Sequence, residues 1–211
     1  VSIELAQGSP EWFVARCGYC TASRFADVLA TIRSGEAATR RNYRAEVVCE
    51  RLTGVPAEHF QSAEMRFGTE QEPYARIAYE STTGNMVSQC GFLKHPQLAA
   101  GASPDGLIGS DGGLEIKVPN TATHLDALLK GMDRGHLPQI QGGLWITGRR
   151  WWDFVSYDPR MPERFQLYVQ RVERDQAYID NLEREVRKFL AEVEDVIGQL
   201  ERLGDVTRAA A

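Results

Sequence analysis

The chain predicts an α/β domain, a central mixed β-sheet flanked by α-helices. Three observations carry that prediction. Apolar residues recur at helical spacing, with capping residues at the ends, through most of residues 9–82 and again after residue 120. Between 86 and 118, and again between 150 and 172, the pattern changes to short apolar runs separated by Gly, Pro and Asp, as strands require. Finally, Ser110, Asp111, Gly112 and Gly113 form a turn cluster between two such runs, which reads as a hairpin. At 211 residues a single core burying about 70% of the unfolded surface is attainable, so residues 1–211 are read as one domain.

Taken in order, Ser9 and Pro10 open a first helix, with Glu11 in its first turn and Gly18 as its stop. Thr21, Ala22 and Ser23 are expected to open a second, whose apolar side is Phe25, Val28 and Leu29. A free helix amino end with hydroxyls beside it, preceded by Arg16, is an anion-binding arrangement. Residues 38–53 read as a helix with Tyr43, Val47 and Leu52 inward and Gly54 ending it; 55–63 read as loop. From Glu64 to about Thr82 the positions Phe67, Tyr74, Ile77 and Ala78 suggest another helix, kinked or restarted by Pro73. Strands are expected at 86–93, 98–102, 106–109 and 114–118 in one sheet. A helix capped by Thr121 or Thr123 follows, with Leu125, Leu128 and Leu129 buried and Gly131 closing it. Residues 136–147 form a further helix, 150–158 and 164–172 complete the sheet, and a long helix spans about 174–203. In that last helix Ile179, Leu182, Val186, Phe189, Val193, Val196, Leu200 and Leu203 alternate spacings of three and four. The seam is read as packing on the sheet in preference to a subunit contact.

The net charge is −5, yet the acidic excess is local: residues 173–205 carry 10 acidic and 5 basic side chains. The remainder is near neutral, and Arg33, Arg40, Arg41, Arg44 and Arg51 fall close enough in sequence for a local basic surface. No apolar run approaches the roughly 20 residues that span a bilayer, so a cytoplasmic protein with no membrane partner is expected. The 4 cysteines lack the spacing of a disulfide framework or a complete zinc site, and Cys17 and Cys20 are read as having no role in function.

The chemistry concentrates between Gly101 and Pro119. Alternate strand residues share a face, so Glu115 and Lys117 point one way and Leu114, Ile116 and Val118 the other. Folding the hairpin at Ser110 to Gly113 brings Asp105 back opposite Glu115. Two carboxylates this close repel unless a hard divalent cation lies between them, and a lysine beside them can stabilise charge on a phosphate. On pattern alone, an Asp-Gly turn with a solvated Glu/Lys pair fits the same residues.

Pro104 and Asp105 with Glu115, Ile116 and Lys117 resemble the two halves of the PD-(D/E)XK nuclease core. Ser103 to Gly106, Leu114 to Pro119, Tyr157 to Met161, and Trp12, Arg16, Gly18 and Thr21 to Ser23 together resemble the lambda exonuclease or YqaJ-like viral recombinase family, over about Gln7 to Glu173. The resemblance implies a Mg²⁺-dependent exonuclease, with Mn²⁺ able to substitute. Such an enzyme resects the 5′-ended strand of duplex DNA and leaves a 3′ overhang for recombination. Residue by residue it implies a metal held by Glu72, Asp105, Glu115 and the backbone carbonyl of Ile116, and a catalytic set of Asp105, Glu115, Lys117 and Gln139. Arg16 and Ser23 would hold the 5′ phosphate, with Arg33 as a further basic contact. It also implies double-stranded DNA ends as substrate, a ring-shaped homotrimer and a single-strand annealing protein as partner. A site-specific endonuclease on the same core, or a DNA-end-binding protein without catalysis, are the alternatives. Stepwise loss from 5′ ends, discrete internal fragments, or no hydrolysis at all tells the three apart.

Overall fold

A computed structural model describes residues 6–57 and 62–209, with side chains described to 204. Ser9 accepts a hydrogen bond from Trp12 N at 3.2 Å and starts α1, Pro10–Arg16. After it the chain turns at Gly18, whose φ of 73° is open to glycine at no steric cost. That turn is clamped from α3, Ala38–Thr53. Gly18 N donates to Glu50 at 2.7 Å, and Arg51 Nε donates to Gly18 O at 2.8 Å. Between the turn and α3 lie β1 (Cys20–Thr21), a 3-10 turn at Ala22–Arg24 and α2 (Phe25–Val28). The expected second helix is therefore a single α-helical turn. Its start is 3-10 and Thr21 makes no side-chain cap, so no helix amino terminus supplies an anion site there.

Gly54 ends α3 in the left-handed conformation, as expected. Tyr43 and Val47 are buried, but Leu52 is 48% exposed and Val48 takes the inward place. Of the loop expected at 55–63, residues 58–61 lie outside the described residues. The next helix, α4, spans Ala63–Thr83 and is capped by Ser62. It runs unbroken through Pro73; the missing N–H leaves one carbonyl without its helical donor, a cost the rest of the helix absorbs. Its buried positions are Ala75 and Tyr79, while Tyr74 and Ile77 are each 59% exposed, so the expected inward face is turned by about one residue.

The strands form two sheets where one was expected. Val87–Ser88 (β2) and Leu93–Lys94 (β3) divide the predicted 86–93 strand, and each joins a different sheet. Ala100–Ala102 (β4) lies between β1, parallel to it, and β3, antiparallel. Gly106–Ile108 (β5) and Gly112–Lys117 (β6) form the hairpin, with Gly106 opposite Leu114. On its other edge β6 runs parallel to β7, Trp151–Tyr157, which pairs antiparallel with β8, Leu167–Glu173. The five-stranded sheet thus has the order β2-β5-β6-β7-β8. A parallel pair needs a crossover, and α5 (Thr121–Lys130) and α6 (Leu137–Thr147) supply it. The cap of α5 is Asn120, which accepts from Thr123 N at 2.9 Å. Leu125 and Leu129 are exposed, and His124 and Ala127 are the buried residues of that helix. Gly142 and Gly143 let α6 press on its neighbours: a β-carbon would come within 2.4 Å of Phe25 and 2.8 Å of Trp152 respectively.

The last helix, α7, spans Gln176–Ala209. Ile179, Leu182, Val186, Phe189 and Val193 are fully buried, and they pack on α2, α3 and α6, where the sheet had been expected. Leu200 and Leu203 are exposed. Arg40 and Arg44 both reach Glu36 and Glu192, at 2.6 to 2.9 Å, and Arg51 pairs with Glu194. Three of the five arginines read as a basic surface therefore tie α3 to its own loop and to α7. No helix among the described residues is long and apolar enough to cross a membrane.

Candidate active site

The hairpin sets the first geometry. Asp105 N donates to Leu114 O at 3.2 Å, which holds Asp105 opposite Glu115, and Asp105 Oδ2 accepts from Ile116 N at 2.7 Å. On the next strand positions, Glu115 is 3% exposed, and its Oε1 lies 2.6 Å from Lys117 Nζ. From α6, Gln139 Nε2 donates to the same Oε1 at 2.6 Å, and Gln139 Oε1 accepts from Lys117 Nζ at 3.3 Å. Glu115, Lys117 and Gln139 thus close a three-membered ring of contacts, which the close approach of α6 at Gly142 and Gly143 permits. The third acid, Glu72, comes from α4, where Arg76 Nη2 donates to its Oε1 at 3.2 Å.

The electrostatics show a crowded set of acids. Burial pushes the Asp105 carboxyl well above its ordinary value, and the neighbouring Glu115 and Glu72 charges add to the effect. Glu72 is raised by burial and by Glu115, with Arg76 pulling the other way. For Lys117, burial favours the neutral amine, but Glu115 and Asp105 outweigh it and hold the ammonium above the usual lysine range. Asp105 Oδ1, Glu115 Oε2 and Glu72 Oε2 have no hydrogen-bond partner among the described residues. Three carboxylates, each with an oxygen to spare, are the donor chemistry of a hard divalent cation. Among the described residues, no three His, Cys, Asp or Glu side chains make a ready-made metal cage, and Lys117 and Gln139 both engage Glu115 Oε1.

Asp105, Glu115, Lys117, Gln139 and Glu72 line a cavity of about 580 Å³, and Trp12, Arg16, Thr21 and Ser23 line it too. Trp12 Nε1 donates to Ser103 Oγ at 3.1 Å, which joins α1 to the loop just before Asp105. The Arg16 guanidinium sits 3.9 Å over the Trp12 ring. It reaches Ser23 Oγ at 3.4 Å and Thr21 Oγ1 at 3.5 Å, both long contacts. No carboxylate lies within ion-pair distance of Arg16 among the described residues, and burial lowers its pKa. A half-buried cation facing hydroxyls without a counterion is poised for an anion. Arg33 is exposed in the loop before α3 and lines neither this cavity nor the adjoining one of about 700 Å³.

Sequence reasoning missed several supports. Glu50 is buried and holds both Gly18 N and Ala57 N. His124 is fully buried between Ser156 Oγ and Phe165 O, each at 2.8 Å. Asp158, also fully buried, accepts from Thr121 Oγ1 at 2.7 Å and from Arg160 Nε at 2.6 Å, while Arg160 donates to Pro119 O just beyond Lys117. Asp153 had one available signal: a lone acid within the apolar run from Trp151 to Val155.

Residues 11–150 match the family described as the YqaJ-like viral recombinase domain. A crystal structure of an alkaline exonuclease (LHK-Exo) from Laribacter hongkongensis is 45% identical, with a TM-score of 0.88 over 94% of this chain and 100% of that one. The same exonuclease has been solved in complex with dAMP, with the same agreement. A phage-related exonuclease from Haemophilus somnus 129PT shares the fold at a TM-score of 0.70 and 16% identity, over 86% of this chain and 96% of that one. The putative uncharacterized protein ExoD of Escherichia coli is 28% identical over 65 residues, which are 31% of this chain and 74% of ExoD.

Proposed function

We propose, because this chain belongs to the YqaJ-like viral recombinase domain family, that it is a metal-dependent deoxyribonuclease that digests duplex DNA from its 5′ ends. The observation that carries the proposal is one cavity lined both by Asp105, Glu115, Lys117 and Gln139 and by Arg16, which has no carboxylate partner among the described residues. A nuclease needs acids and a cation at the bond it cuts. An enzyme restricted to ends needs, in addition, a reader of the terminal phosphate at a fixed distance from that bond.

Asp105, Glu115, Glu72 and the carbonyl of Ile116 would hold Mg²⁺, with Mn²⁺ as a substitute; once bound, the ion polarises the phosphate and lowers the pKa of a bound water. Lys117 stabilises the negative charge that builds up on the phosphate oxygens. Gln139 keeps Glu115 and Lys117 in register, since it donates to one and accepts from the other. Arg16 and Ser23 hold the 5′ phosphate, Trp12 supports the guanidinium from below, and Arg33 adds a longer-range attraction. The product strand is a 3′ overhang, and a single-strand annealing protein is the partner suited to receive it in the cytoplasm of a bacterial or phage-infected cell.

A ring-shaped homotrimer around the duplex extends the proposal. A near-neutral surface supports it, because enclosure replaces the phosphate contacts that salt weakens. So do the exposed Tyr74 and Ile77 on α4 and Leu125 and Leu129 on α5. The test is an end-labelled linear duplex with and without Mg²⁺. Stepwise loss from 5′ ends that stops on chelation is the expected result. Internal fragments, or digestion that survives chelation, would overturn it. Light scattering that returns a mass other than three chains would overturn the ring.

A further inference from the structure

The face that α4 turns to the sheet carries polar side chains in an apolar setting. Glu72, Arg76 and Tyr79 follow at spacings of four and three, so they share one face of the helix. Arg76 donates to Glu72. The hydroxyl of Tyr79 lies 2.7 Å from Asp153 Oδ2, and Asn85 Nδ2 donates to it at 3.0 Å. Its own proton is therefore committed to Asp153. Burial first, and then Asp153, push the tyrosine up to about 12, so it stays a donor across the working pH range.

Asp153 is only 2% exposed, in the middle of β7 and in register with Leu114 of β6. Arg171 grips it from β8 with two bonds, Nε to Oδ1 at 2.8 Å and Nη2 to Oδ2 at 2.9 Å. A buried acid in a strand is costly to desolvate and adds little to stability that apolar residues of similar volume would not supply. What it adds is direction. The apolar contact between α4 and the sheet has no preferred angle, and a helix resting on it can roll or slide. Tyr79 is two turns from Glu72, about 10 Å along the axis. A roll by one position, about 100°, would carry Glu72 off the cavity wall.

We propose that Asp153, acting through Tyr79, is a positioning residue that fixes the roll and register of α4, and so holds Glu72 toward Asp105 and Glu115. Asp153 does not line the cavity. The inference rests on the metal-site reading above, and its test keeps the two apart.

The variant is Tyr79→Phe in the full chain, with Mn²⁺ binding followed by calorimetry in the absence of DNA. If α4 spends most of its time rolled, the apparent affinity falls by the fraction correctly set. The Mn²⁺ dissociation constant should rise about 5- to 10-fold, as should the Mg²⁺ concentration for half-maximal digestion, while the rate at saturating metal stays within about 2-fold of the parent. Asp153→Asn keeps an acceptor for Tyr79 and should lie closer to the parent than Asp153→Ala. Ile179→Val, a core change on the buried side of α7, lowers thermal stability and should leave both metal midpoints in place. An unmoved Mn²⁺ constant in Tyr79→Phe overturns the inference, as does an equal shift in Ile179→Val. A parent protein whose Mn²⁺ binding survives Glu115→Ala overturns the metal site itself, and this inference with it.

Discussion

Arg16→Met tests the reading of the terminal phosphate most directly. Methionine keeps an unbranched stem over the Trp12 ring and removes the charge. In the parent, the guanidinium makes only long contacts, 3.4 Å to Ser23 and 3.5 Å to Thr21, and has no acidic partner among the described residues. Its donors are thus available to a phosphate. A charge-assisted hydrogen bond contributes roughly 1.5 to 3 kcal/mol, which is about 10- to 150-fold in rate. The assay is a ratio: initial digestion rate on 5′-phosphorylated duplex divided by that on 5′-hydroxyl duplex. In Arg16→Met the ratio should collapse towards one, with the slow 5′-hydroxyl rate almost unchanged. Thermal unfolding gives a second, independent readout. Because burial of an unpaired cation costs stability, Arg16→Met should unfold at the parent's temperature or above it. If both rates fall together, or if unfolding drops by more than about 4 °C, a loss of about 1 to 2 kcal/mol or more at this size, Arg16 serves the fold and the end-recognition argument fails.

Three other outcomes follow from contacts already described. Gln139→Ala removes the amide that bridges Glu115 and Lys117 and leaves only their direct contact; it should slow digestion at saturating metal by about 10- to 100-fold while circular dichroism stays unchanged. Asp158→Ala breaks bonds to Thr121 and Arg160 and should cost about 2 kcal/mol in denaturant unfolding at neutral pH. Burial raises the Asp158 pKa, but its bonds to Arg160 and Thr121 outweigh burial and bring it below 3.8. A lowered carboxylate contributes in full above its unfolded value and is lost as pH falls through the folded one. The gap between parent and variant should therefore close as the pH drops below about 4, and a gap that persists at pH 2 would refute the assignment. Glu192→Gln loosens the pairing of α7 with Arg40 and Arg44. It should cost about 1 kcal/mol at low salt and less in 1 M NaCl; equal losses at both salt levels would show that packing, with no help from charge, docks the helix.

Much of the site was legible because it is local. Asp105, Glu115 and Lys117 sit on one hairpin, and strand alternation with a glycine-rich turn is enough to bring them together. Trp12, Arg16 and Thr21 to Ser23 are similarly close in sequence. The failures have physical causes. Tyr74, Ile77, Leu125 and Leu129 are large apolar residues that the chain exposes, while Tyr79, His124 and Asp153 are polar residues that it buries with partners from other elements. Periodicity ranks residues by type and is blind to such partners. The division of 86–93 between two sheets has the same origin, since pairing is decided by β4 and β5, which follow in the chain. Charge counting failed at Arg40, Arg44 and Arg51 because it took no account of Glu36 beside the first two, and because Glu192 and Glu194, their other counterions, lie about 150 residues away in α7, where no local pattern reports them.

The placement of β6, antiparallel to β5 on one edge and parallel to β7 on the other, has a consequence for how the protein is made. The hairpin closes from neighbouring residues and can form as soon as Lys117 clears the ribosome. Its far edge must wait for the crossover through α5 and α6 and for β7 to be synthesised, and until then it is an open strand edge. Gln139 arrives only with that crossover. An incomplete chain therefore carries every acid of the motif with neither the strand nor the glutamine that sets them. Translation halted near Lys130 would leave a product inert toward DNA and prone to pair its bare edge with another chain.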